Sequence, residues 1–323
     1  MNIYITLDYE LFLGSNTGDI QHCLITPMNE LSAMVDKYGI KLVLFVDAAY
    51  LYRLYLLRKG NSKLNEDYLA FCQELKKYNE LGHDIEMHFH PQWIYSDYIN
   101  GKWQLDFDHY KLSDMDDELL QKSFIESKSL LDSIIGRKTF AFRAGGYSLQ
   151  SLTHYSDFLS SNGIKIDSSA VRSTFCDSKY QMYDYRHLPH KNVYNFSHDM
   201  MIEDTNGSIQ EYVISTKTYS FLRYLPLRII TRIGSKKMKK YGNGSSLSDK
   251  KNKGFFEKRT LLASIDGANV YSLNSIFRQE KELGRDNLII IGHPKNISRE
   301  SISLFEQFIK KNIHNNFLTF LSD

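Results

Sequence analysis

Two acidic residues stand two positions apart near the start of the chain, in Thr6-Leu7-Asp8-Tyr9-Glu10, and two histidines repeat that spacing in His88-Phe89-His90. On an extended backbone, residues i and i+2 project from the same side. Each pair can therefore face one pocket while Tyr9 and Phe89 point away from it. Two neutral imidazoles with one carboxylate form a common donor set for a divalent transition metal such as Zn2+, with open positions left for water and substrate. The second carboxylate is then free to move a proton. Taken singly, each pair has a plainer use: Glu10 could cap the following turn and Asp8 could pair with an arginine. His83 lies on the other side of the strand from His88 by parity and is expected at the surface or in the core.

Three further residues belong to the same discussion. Arg143 leaves the apolar stretch Phe140-Ala141-Phe142 directly into Gly145-Gly146, and a strand-end arginine needs a partner. Asp167, in Ile166-Asp167-Ser168-Ser169, is an available one, either as a structural ion pair with Arg143 or as part of a set that orients a catalytic group. His293 follows the apolar run Leu288-Ile289-Ile290-Ile291-Gly292 and can exchange protons near neutral pH. Asp47 reads as the N-cap of a helix over 48–57 and is assigned no chemistry.

The elements that must position these residues follow from hydrophobic periodicity. Strands are expected over 3–7, 41–46, 84–88, 139–142 and 288–291, and helices over 27–38, 66–80, 118–135, 149–162 and 301–312. Strand and helix in alternation argue for parallel βαβ units, an α/β barrel or open sheet, in which functional residues gather at the carboxyl ends of the strands. The candidates above sit there.

Together, in this order, the motifs resemble those of the polysaccharide deacetylases of carbohydrate esterase family four, in the wider superfamily of glycoside hydrolase and deacetylase barrels. Thr6 to Glu10 resembles the family's Thr-Phe-Asp-Asp motif, and Gly82-His83-Asp84-Ile85 leading to His88 and His90-Pro91 resembles its histidine motif. Arg143 with Tyr147, Asp167 with its serines, and Ile291-Gly292-His293 resemble the remaining three. The resemblance implies a distorted (β/α)7-type barrel spanning 1–323 and metal-dependent removal of acetyl groups from N-acetylated or O-acetylated sugars, within surface polysaccharide biosynthesis. It also implies roles: Asp8 as base, Glu10, His88 and His90 on the metal, His293 as acid, and Arg143 and Asp167 orienting them. Two departures stand out. Tyr9 occupies the family's ligand position, so the ligand is Glu10, or Asp8 with Glu10 as base; and the histidines are two apart where the family keeps them four apart. A non-catalytic glycan or lipid-surface binding protein on the same scaffold is the alternative.

Composition adds partners and place. The three cysteines, Cys23, Cys72 and Cys176, form neither a disulfide framework nor a thiolate metal site, and no apolar run of 18 residues is present. A cytoplasmic protein is expected. The net charge of +2 hides an asymmetry: residues 217–259 carry thirteen Lys or Arg against two acids, whereas the rest of the chain has 27 bases against 36 acids. That segment reads as a basic insertion or lid. Residues 219–240 suit peripheral contact with an anionic membrane at its inner face, and the saccharide substrate is expected to be lipid-linked or nucleotide-linked. No nucleic-acid module accompanies the charge, so nucleic acid is not expected. Trp93 and Tyr147, with Trp103, are candidate stacking residues for sugar rings.

Overall fold

The computed structural model describes residues 1–235, 238–247 and 258–322. Eleven of its strands form the main sheet and a two-stranded ribbon beside it: β1 (Asn2–Tyr9), β2 (Val43–Asp47), β3 (Asp84–Phe89), β4 (Ala141–Ala144), β5 (Ile166–Asp167), β6 (Val193–Phe196), β7 (Ile209–Tyr212), β8 (Thr216–Tyr219), β9 (Arg259–Leu262), β10 (Asn287–Gly292) and β11 (Asn316–Leu318). The main sheet runs β6-β7-β5-β4-β3-β2-β1-β10, with β11 also on β1. From β7 to β10 the pairings are all parallel, which makes seven parallel strands, and β6 is an antiparallel edge. Backbone bonds from Ser215 to Ile289 and from Ile291 to Ala263 bring the chain after β7 up to β10, so the sheet nearly closes. This is the expected α/β barrel.

Its longer helices are α1 (Thr26–Asp36), α2 (Ala48–Leu57), α3 (Ser62–Glu80), α4 (Asp117–Ile135), α5 (Tyr155–Ser161), α6 (Phe221–Ser235), α7 (Leu273–Glu282) and α8 (Arg299–Asn312). Strands covered on both faces have no polar side, which is why β2 reads Val-Leu-Phe-Val and β10 carries Leu-Ile-Ile-Ile, all buried. Side-chain caps start α2, α3, α4 and α8. Asp47 accepts from Tyr50 N–H at 3.3 Å, as its N-cap reading requires, and Asn61 accepts from Leu64 N–H at 3.1 Å, which begins α3 four residues before the periodic signal at 66.

Two local expectations shift. The helix expected over 149–162 is a single turn, Leu149–Ser151, followed by α5, because His154 adopts a left-handed φ of 57° that a helix cannot continue through. The strand expected over 139–142 begins at Ala141; before it, the amides of Thr139 and Phe140 donate to the carboxylates of Asp132 and Glu86, each at 2.8 Å. The basic segment leaves and returns through an antiparallel ribbon of β8 and β9. Of its residues, Lys236, Lys237 and 248–257 lie outside the described residues.

Candidate active site

β1 ends with Asp8 and Glu10 buried and facing the cleft. Tyr9 between them turns outward, its ring 5.6 Å from that of Phe71 and 6.4 Å from that of Tyr78. The residue standing where the resembled family keeps a ligand is therefore a packing residue. On β3, Phe89 likewise packs outward on Phe124 at 5.7 Å, while His88 and His90 face the acids. His83 is buried elsewhere: Leu42 N–H donates to its Nδ1 at 3.1 Å, and burial pushes its pKa down to about 4.

Glu10 and the two histidines form one set. Glu10 Oε2 lies 2.6 Å from His90 Nε2 and 3.2 Å from His88 Nε2. Its other oxygen, Oε1, accepts from Lys295 Nζ at 2.8 Å, and the same ammonium donates to the Leu11 carbonyl at 2.6 Å. His88 Nδ1 sits 2.7 Å from the carbonyl oxygen of Arg143. A carbonyl only accepts, so Nδ1 carries a proton and the neutral ring keeps its lone pair on Nε2, the form a metal ligand needs. One ligand atom from each of Glu10, His88 and His90 lies within 4.8 Å of the others. The chemistry of this donor set, two imidazole nitrogens and a carboxylate, fits a divalent metal. Electrostatics agree: burial raises the Glu10 carboxyl, but Lys295 and His90 outweigh it and hold it well below its ordinary value. Burial lowers His88, yet Asp8 and Glu10 bring it above its ordinary value. Two buried carboxylates attract a cation to this point.

Asp8 belongs to a second set. Arg143 Nη1 donates to Asp8 Oδ1 at 2.5 Å, Nη2 donates to Thr6 Oγ1 at 2.9 Å and Ser168 Oγ at 2.8 Å, and Nε donates to the Ser168 carbonyl at 2.8 Å. The guanidinium, fully buried, lies 4.2 Å above the Phe45 ring. Asp8 Oδ2 is 3.5 Å from His293 Nε2, and His293 Nδ1 is 2.6 Å from Asp266 Oδ2. Burial raises Asp8, but Arg143, His88 and His293 together bring it below its ordinary value. Burial lowers His293; Asp266, then Asp8 and Glu10, reverse this and push it up to about 9.

The ion pair expected between Arg143 and Asp167 does not form. Asp167 is in register with Phe142, whose ring packs outward on Phe124, so the side chain of Asp167 points to the helix side of the sheet while Arg143, one residue on, points inward. Asp167 instead accepts from Ser169 Oγ at 2.7 Å, and its neighbour Ser168 holds the guanidinium. Burial keeps Asp167 above its ordinary value and, with the Asp167 charge alongside, raises Glu211 well above its own.

The glycines after Arg143 have a steric reason. A Cβ on Gly145 would lie 2.6 Å from His90 Nδ1, and Gly146 sits at a φ of 59°. This turn delivers Tyr147 to the cleft wall, where it joins Tyr110, Leu13 and Leu247 around a cavity of about 170 Å³. Of the other expected stacking residues, Trp93 is fully buried against Tyr50 and Trp103, with ring distances of 4.7 and 5.1 Å, and neither tryptophan lines this cleft. Two participants were missed in the sequence. Lys295 follows His293 at the same two-residue spacing used above, and Asp266 ends the apolar stretch Leu261-Leu262-Ala263-Ser264-Ile265 in the manner of the other strand ends.

No protein-family model matches this sequence, and no curated protein matches it. Solved structures do. A Mycobacterium smegmatis protein assigned as a polysaccharide deacetylase is similar to it with a TM-score of 0.53 at 12% identity, over 98% of this chain and 85% of that one. The chain has the polysaccharide deacetylase barrel fold. The PuuE allantoinase is similar with a TM-score of 0.52 at 11% identity, over 99% of this chain and 87% of that one. At these identities the likeness is one of fold, and the chemistry rests on the residues in the cleft.

Proposed function

We propose that this protein is a metal-dependent hydrolase that removes acetyl groups from N-acetylated sugars, O-acetylated sugars being the related substrate, in surface polysaccharide biosynthesis. The observation that carries the reading is the division of the cleft: a Glu10-His88-His90 donor set on one side and an Asp8–His293 pair on the other, with Asp8 Oδ2 and His293 Nε2 3.5 Å apart. Zinc suits two imidazoles and a carboxylate. When bound, it would polarise the acyl carbonyl and make water at the site more acidic.

The protein's own groups handle the protons. Asp8 has one oxygen committed to Arg143, so Oδ2 is the atom that takes a proton from the attacking water. His293, held by Asp266 and carrying a proton at neutral pH, gives one from Nε2 to the departing sugar nitrogen as the C–N bond breaks. The acetyl carbon gains the water oxygen, and the products are acetate and the free amine. Tyr147 and Tyr110 offer faces for the sugar ring. A phosphate-bearing carrier on the saccharide, lipid or nucleotide, suits the basic segment beside the cleft.

Protein purified without chelator should hold about one zinc per chain and release acetate from N-acetylated saccharides. The double substitution of His88 and His90 by Ala should lose both. A wild-type chain that neither binds zinc nor shows zinc-stimulated acetate release would contradict the reading and leave the non-catalytic alternative.

A further inference from the structure

Helix α6 is amphipathic in the wrong sense for a helix of a water-soluble body. Leu222, Leu225, Pro226, Ile229, Ile230 and Ile233, at i, i+3, i+4, i+7, i+8 and i+11, form one continuous stripe. That stripe faces solvent: Leu222 is 78% exposed, Ile229 53% and Ile233 65%. The opposite side, Tyr224, Leu227 and Gly234, is turned to the protein; a Cβ on Gly234 would lie 2.7 Å from the Tyr271 hydroxyl. Exposed Arg223, Arg228 and Arg232 flank the stripe. The helix also lies close to the cleft. Tyr271 belongs to the turn Gly267–Ser272, which directly follows Asp266, the residue that holds His293.

We propose that α6 docks this protein on an anionic lipid bilayer, with its apolar stripe in the acyl boundary and its arginines among the headgroup phosphates. The apolar face calls for a low-dielectric partner and the arginine border for a negatively charged one, a pairing that an anionic bilayer surface supplies. With 15 residues and three arginines, α6 lies on such a surface; among the described residues no helix is long and apolar enough to cross a membrane. The contact is narrower than residues 219–240. Lys240 turns back onto the protein, its Nζ 4.0 Å from the centre of the Phe12 ring and 3.1 Å from the Gly244 carbonyl.

Sedimentation with vesicles tests this, comparing phosphatidylcholine containing phosphatidylglycerol with phosphatidylcholine alone. Wild type should bind the anionic vesicles and not the neutral ones. The pair Ile229→Glu and Ile233→Glu should weaken binding more than about tenfold, and each of Arg223→Gln, Arg228→Gln and Arg232→Gln about fivefold. Helical content by circular dichroism should match wild type, because all five side chains are exposed. The double substitution of His88 and His90 by Ala should bind vesicles as wild type does, so the docking and the deacetylation reading fail separately. Three outcomes would overturn the proposal: no preference for anionic vesicles, wild-type binding by the two glutamate substitutions, or a concentration-dependent dimer that those glutamates dissolve in a protein that ignores vesicles.

Discussion

The two halves of the cleft solve one problem with different cations. Asp8 and Glu10 are both buried carboxylates, and each has one oxygen committed to a basic side chain, Arg143 on Asp8 Oδ1 and Lys295 on Glu10 Oε1. Each then keeps one oxygen for chemistry, Oδ2 toward His293 and Oε2 toward His88 and His90. The difference lies in rigidity. Arg143 is held at three of its nitrogens by Asp8, Thr6 and Ser168 under the Phe45 ring, whereas Lys295 is a point charge shared between Glu10 and the Leu11 carbonyl. In the proposed roles, a base must stay where its water arrives, whereas a metal ligand would be further fixed by the metal itself.

The largest effect expected from breaking this comparison is on Arg143. Its replacement by Ala leaves Asp8 buried without its cation and should cost about 3–5 kcal/mol of stability in denaturant unfolding, with Arg143→Lys recovering part of it; wild-type stability would show that Asp8 does not depend on the guanidinium. Next comes a contrast among histidines. His83 is buried away from the acids and its pKa falls to about 4, against an unfolded value of about 6.5. The unfolded chain therefore takes up a proton that the fold refuses, so this contribution is complete above pH 6.5 and is lost as pH falls toward 4, on the order of 3 kcal/mol in all. His83→Gln should flatten the loss of stability between pH 7 and pH 4.5, and an unchanged slope would assign the acid sensitivity elsewhere.

Smaller effects separate the partners within each half. Asp266→Asn should lower kcat by about 10²-fold with KM nearly unchanged, because it removes the carboxylate charge that holds the His293 proton and touches no substrate. A matching rise in KM would place Asp266 in binding instead. Lys295→Met should weaken zinc binding about tenfold in a metal titration. Tighter binding would break the comparison, since it would make Lys295 a competitor of the metal and not a support for Glu10.

How much of this was legible in the sequence depends on where each residue's partner lies along the chain. Asp8, Glu10, His88 and His90 declared themselves because two-residue spacing on a strand fixes a shared face, and the buried parallel strands showed as apolar runs. The partner of Arg143 did not, because strand register decides whether Asp167 or Ser168 shares its side, and register is a property of the assembled sheet. Lys295 and Asp266 stand at positions that local spacing marks, but they act on residues 285 and 27 positions away, and those partners are set by the assembled fold. The burial of Trp93 follows from packing between Tyr50 and Trp103, not from its position after His90 and Pro91. The short strands β5 to β7 mix polar and apolar residues and carry little periodic signal of their own.

Glu10 is proposed to hold the metal and Asp8 to handle the proton. Zinc content and acetate release measured side by side on Asp8→Asn and Glu10→Gln test it most directly. The structure predicts that Asp8→Asn keeps about one zinc per chain and loses turnover, whereas Glu10→Gln loses the zinc. Loss of zinc from Asp8→Asn with retention by Glu10→Gln would reverse the two roles.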